Sequence, residues 1–70
     1  MEGERLLELG KIEWGQSNYE EAKNHYTQAI SLFRRLAHRG GEANGTGNLG
    51  LVYRAIGDYP KAIENYTKAL

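Results

Sequence analysis

The chain has 70 residues, no cysteine, and nine basic residues against nine acidic ones. One domain of this size has a marginal core, and without thiols neither disulfides nor a thiolate metal site can reinforce it. Zero net charge argues against nucleic acid or an anionic membrane as partner, and no apolar run approaches the roughly 18 residues of a membrane span. The opening Met-Glu-Gly-Glu-Arg lacks the apolar stretch of a signal peptide, so the expected compartment is the cytoplasm.

Helical periodicity predicts four segments. The first spans about residues 4–15, with Leu6, Leu9, Gly10 and Trp14 on its apolar stripe, and Asn18-Tyr19 follow as a polar turn. The second spans about residues 20–38 and carries Ala22, Tyr26, Ala29, Ile30, Phe33, Leu36 and Ala37 on its stripe. Arg34, Arg35, His38 and Arg39 fall in its last turns, where cations suit the helix dipole. The Gly40-Gly41 pair then reads as its stop. The third helix spans about residues 43–56 with Leu49, Val52, Tyr53 and Ile56 inward, and its extra glycines predict a frayed start as far as Thr46. Gly57-Asp58 make a turn, and Pro60 opens a fourth helix whose stripe is Ala62, Ile63, Tyr66, Ala69 and Leu70. No stretch shows the alternation of a strand, so the fold class is all-α.

The helices repeat. Residues 9–30 laid on residues 49–70 coincide at seven of 22 positions: Leu9/Leu49, Gly10/Gly50, Tyr19/Tyr59, Ala22/Ala62, Tyr26/Tyr66, Thr27/Thr67 and Ala29/Ala69. A fixed period of this kind marks stacked supersecondary units that bury apolar faces against their neighbours. The glycines and alanines lack bulk where paired helices cross, and Tyr26 and Tyr66 fill the space beside them.

Leu6-x2-Leu9-Gly10 with Ala22-x3-Tyr26 and Ala29 resembles the tetratricopeptide repeat. So does Leu49-Gly50-x2-Tyr53 with Gly57-Asp58-Tyr59-Pro60, Ala62-x3-Tyr66 and Ala69. The resemblance covers essentially the whole chain as one domain, repeat 1 at about 3–40 and repeat 2 at about 43–70. It implies two stacked antiparallel helix-turn-helix units in a right-handed solenoid fragment without a capping helix. The period is 40 where the family's usual unit has about 34, and Arg34 stands where a proline normally ends the second helix. The expectation is a second helix roughly six residues longer, about 9 Å at 1.5 Å per residue. This resembles the longer-repeat branch found in G-protein and spindle-orientation scaffolds and kinesin light chains. Glu13 stands where Tyr53 stands in the next unit, leaving Trp14 to fill that space.

By the same resemblance, the first helix of each pair lines a concave groove, here Leu7, Lys11, Trp14, Asn44, Gly47, Asn48, Leu51 and Arg54. The expected function is a protein-protein interaction module that takes a peptide segment of a partner. The amides of Asn44 and Asn48 could bond its backbone, while Lys11 and Arg54 could meet its carboxylates. The chaperone-gripping members of the family need a groove lysine and asparagine where Leu7 and Lys11 stand, so that specialisation is set aside. The alternative is a self-assembling unit that oligomerises through Ile63, Tyr66 and Leu70 on the last helix.

Chemistry is not expected. Ser17 and Ser31 have no histidine and acid partners, His25 and His38 have no convergent carboxylates, and no cofactor or metal is implied. Gly45-Thr46-Gly47-Asn48-Leu49-Gly50 spells GxGxxG, but that fingerprint works only between a strand and a helix.

Overall fold

A computed structural model describes residues 2–69. It contains α1 (Glu2–Gly15), α2 (Tyr19–Arg35), α3 (Arg39–Ala55) and α4 (Tyr59–Ala69), each packed antiparallel on the next. The expected all-α pair of helix-turn-helix units is what the chain forms.

The three connections are one turn used three times. Each turn is three residues long, 16–18, 36–38 and 56–58. In each, the third residue donates its N–H to a carbonyl five positions back: Asn18 to Glu13, His38 to Phe33 and Asp58 to Tyr53, all at 2.8 Å. The middle residue donates to the carbonyl three positions back and has positive φ: Ser17 at 64°, Ala37 at 55° and Gly57 at 87°. This is the Schellman C-cap. The residue that closes it also begins the next helix, since the carbonyls of Asn18, His38 and Asp58 accept from Ala22, Glu42 and Ala62 at 3.0 Å. Only one of the three turns uses glycine at its left-handed position.

This overturns two expectations. Gly40-Gly41 do not stop the second helix; it is capped at Leu36, and Ala37 takes the left-handed conformation. The glycines lie instead in the first turn of α3, which begins at Arg39 rather than near Ala43. The His38 imidazole accepts the Gly41 N–H at 2.8 Å, supplying an N-cap the sequence did not advertise. Both α2 and α3 have 17 residues, so with two three-residue turns the 40-residue period is divided equally between two helices. No single lengthened helix accounts for it.

Five glycines in α3 cost roughly 5 kcal/mol of helix propensity against alanine. Packing offsets this. A Cβ on Gly50 would stand 2.8 Å from the Tyr66 ring, and one on Gly45 would stand 2.9 Å from Ile30. In α1, a Cβ on Gly10 would stand 2.5 Å from the Tyr26 ring. Phe33, 1% exposed, is clasped between Gly3 of α1 and Gly41 of α3. The expected crossings at Gly10, Gly50, Ala22 and Ala62 are present, and Gly3, Gly41 and Gly45 join them. The core comprises Leu6, Leu7, Ala22, Tyr26, Ala29, Ile30, Phe33, Leu49 and Val52. Leu9 is exposed rather than inward, as are Leu36 and Ile56, which sit in or beside turns.

Candidate functional site

α1 and α3 touch, with α2 packed against both and α4 against α3, and positions 44, 48, 51 and 55 form one stripe of α3 at helical spacing. Where that stripe reaches the C-terminal ends of the helices, Trp14, Leu51, Arg54, Ala55 and Tyr59 line an open cavity of about 320 Å³. Trp14 is 40% exposed there. It does not fill a gap beside Glu13, because Glu13 has its own partner: the His25 Nδ1 lies 2.5 Å from its Oε1. In the second unit, Asn65 stands for His25 and turns its amide back to the Lys61 carbonyl at 2.8 Å. Tyr53 lies between two cations there, Lys61 Nζ at 5.5 Å and Lys23 Nζ at 6.0 Å from the ring centre. A carboxylate–imidazole pair and a cation–π cluster thus occupy corresponding places.

The expected groove residues separate into groups. Trp14, Leu51 and Arg54 share the cavity just described. Asn48 donates to Asn44 at 3.2 Å, so each amide keeps free capacity on the same stripe. Lys11 is exposed and lies 3.8 Å from Glu8 one turn earlier. Leu7 is 5% exposed and packs toward Gly45 and Ile30, and it lines a second open cavity of about 360 Å³ together with Asn44, Glu4 and His38. Gly47 turns toward α4, where a Cβ on it would stand 3.8 Å from Ala69 Cβ.

Tyr59 was not anticipated as a surface residue. Its counterpart Tyr19 packs against the core because α2 has α3 beside it, whereas Tyr59, at the first position of α4, is exposed. The 40-residue match sees the two tyrosines as equivalent; only the next layer distinguishes them. Of the proposed self-association residues, Ile63 is 64% exposed, while Tyr66 is half-buried on Gly50. Leu70 lies outside the described residues.

Two of the four residues of the basic cluster are engaged in the fold. Arg34 Nε bonds Glu42 Oε2 at 2.9 Å, and the His38 ring caps α3 while lying 5.1 Å from the Phe33 ring. The GxGxxG glycines lie inside α3 at helix contacts, not in a phosphate-binding loop. Among the described residues, no group of three or more His, Cys, Asp or Glu could hold a metal ion, and no helix is long and apolar enough to cross a membrane.

A family model described as the tetratricopeptide repeat matches residues 4–70. No curated protein and no solved structure matches the chain.

Proposed function

Since the chain belongs to the tetratricopeptide repeat family, whose members generally act in protein-protein interaction, we propose that it is an adaptor holding a peptide segment along the α1–α3 stripe. The observation that carries this reading is the cavity of Trp14, Leu51, Arg54, Ala55 and Tyr59. Two aromatic rings and an aliphatic side chain offer a seat for one apolar residue, and the Arg54 guanidinium stands ready for a carboxylate beside it. Asn44 and Asn48, farther along the stripe, suit the backbone of an extended segment. A peptide with acidic residues next to an apolar one fits this surface.

The test uses Trp14, the only tryptophan, as its own reporter. Acidic peptides carrying a leucine or phenylalanine are titrated into wild type and Arg54→Ala while the indole emission is followed. A labelled version of the same peptide reads Trp14→Ala. Both variants are expected to bind about tenfold more weakly. Equal affinity in Arg54→Ala would remove the electrostatic part, and equal affinity in both would remove the site.

A second reading has one observation of its own. Ile63 is a large apolar residue left 64% exposed on α4, consistent with self-assembly through that helix. Molar mass by light scattering over a hundredfold concentration range distinguishes the readings. A constant monomer favours the adaptor, while growth that Ile63→Glu abolishes favours assembly.

A further inference from the structure

The first half of α3 is the stretch of helix richest in glycine. Gly40, Gly41, Gly45 and Gly47 all fall there, where glycine is a poor helix former. What holds this stretch closed comes from outside the helix. The His38 imidazole accepts the Gly41 N–H at 2.8 Å, Phe33 lies against Gly41, and Ile30 lies against Gly45. A segment held in this way opens locally when those contacts let go, at less cost than unfolding the whole domain.

Asn44 and Gly45 lie inside that stretch. Of the five asparagines, only Asn44 is followed by glycine; Asn18, Asn24, Asn48 and Asn65 precede Tyr19, His25, Leu49 and Tyr66. The pairing matters chemically. A backbone nitrogen can attack the side-chain carbonyl carbon of the asparagine before it, and a following residue without a Cβ hinders that approach least. In closed α3 the attack is blocked twice. The Gly45 N–H belongs to the i→i−4 ladder of the helix, and Asn48 Nδ2 donates to Asn44 Oδ1 at 3.2 Å, tethering the amide.

We propose that Asn44 is a site of spontaneous deamidation, gated by local opening of the first half of α3. On opening, the Gly45 nitrogen gives up its proton and bonds to Asn44 Cγ. The bond from Cγ to the side-chain nitrogen breaks, ammonia leaves, and a cyclic imide remains. Water then opens the ring. Cleavage between the Gly45 nitrogen and Cγ gives aspartate. Cleavage at the Asn44 main-chain carbonyl gives isoaspartate, whose chain runs through the former side chain. That extra methylene in the backbone keeps the α3 ladder from reclosing in register. Either product places a carboxylate on the α1–α3 stripe, where it repels an acidic peptide. This last consequence rests on the adaptor reading; the conversion itself does not.

The protein is incubated in mildly basic buffer, either folded or unfolded in urea. Digested samples are read by mass spectrometry for amide-to-acid exchange at each asparagine. In folded protein Asn44 should convert, more slowly than in urea, while Asn48 and Asn65 stay intact. His38→Ala removes the cap of α3 without touching Asn44. It should speed conversion of the folded protein about fivefold, the factor that one lost N-cap gives, and leave the rate in urea unchanged. In wild type the Gly45 amide should exchange with deuterium faster than the Ala29 and Ile30 amides of α2. That measurement decides the gating even if His38→Ala proves unfolded by circular dichroism.

Five results would overturn the inference. They are an intact Asn44 in folded protein after the urea sample has fully converted, equal rates folded and unfolded, equal conversion at Asn48, an unaccelerated but folded His38→Ala, or a Gly45 amide as protected as that of Ile30. Asn44→Asp, made directly, should bind the acidic peptide more weakly than wild type; equal affinity would remove the consequence for binding. Because conversion is read by mass and not by peptide affinity, failure of the adaptor reading and failure of this site are separable.

Discussion

The two helix pairs share a backbone plan and differ in how tightly it is held. In α1–α2, Tyr26 is 2% exposed over Gly10, and Phe33 is locked between Gly3 and Gly41. In α3–α4, the same crossing is made by a half-buried Tyr66 over Gly50. α2 and α3 each pack between two helices, while α1 and α4 lie at the two ends of the row. Stability should therefore be concentrated in the middle of the chain, where α2 and α3 each have partners on two sides.

Phe33 is the sharpest place to break the arrangement, since it joins α1, α2 and α3. Phe33→Ala should cost about 3–5 kcal/mol, comparable with the whole stability expected of so small a domain. Urea unfolding followed by circular dichroism should find the variant largely unfolded in buffer; a cooperative transition near the wild-type midpoint would refute the central role given to this ring.

Tyr26 provides the next test, by pH. Burial pushes its hydroxyl up to about 12 from 10.0, and the nearby carboxylates of Glu13 and Glu8 add to the shift. The neutral phenol is the form the fold favours. Its contribution is fully present below pH 10 and is lost as pH rises through 10 toward 12. Melting temperature should fall across that window in wild type and fall less in Tyr26→Phe.

Matched glycine substitutions compare the two crossings directly. Gly10→Ala forces a Cβ within 2.5 Å of a ring that cannot retreat and should destabilise by about 1–3 kcal/mol. Gly50→Ala meets the Tyr66 ring at 2.8 Å and the Ala62 carbonyl at 3.3 Å, but the ring is half-buried and can give. Its loss should be about 1 kcal/mol smaller than that of Gly10→Ala. Equal losses in denaturant titrations would mean the pairs are held alike after all.

The repeated turn gives a smaller and opposite pair of effects. Ala37 holds a left-handed backbone at φ 55°, a conformation costing a side-chain-bearing residue about 1 kcal/mol or more. Ala37→Gly should raise stability by about 1 kcal/mol, and Gly57→Ala should lower it by a similar amount. Smallest of all is the Glu13–His25 pair. A double-mutant cycle of Glu13→Gln and His25→Asn, read by urea unfolding, should give a coupling of under about 1 kcal/mol. A coupling well above that would make the pair a main support of the first helix crossing.

Much of the helix pairing was legible because it rests on small residues at fixed spacing: Gly10 with Ala22, and Gly50 with Ala62. The second boundary was misread for a physical reason. Glycine usually marks a left-handed cap, but this chain places Ala37 at the cap and spends Gly40 and Gly41 inside α3, one of them against Phe33. The candidate surface was legible in part. Trp14, Leu51 and Arg54 do come together, Leu7 and Asn44 share a separate cavity, and Gly47 faces α4. Helical spacing places a residue on a face but does not say which neighbour covers that face.

By itself, the sequence determined the all-α class, the 40-residue repeat and the glycine–aromatic crossings, because these depend on side-chain volume and period within one helix pair. Only the tertiary structure decided where the helices begin and which tyrosine of an equivalent pair is exposed. Those outcomes depend on what packs against a residue from the next layer, which no local pattern records.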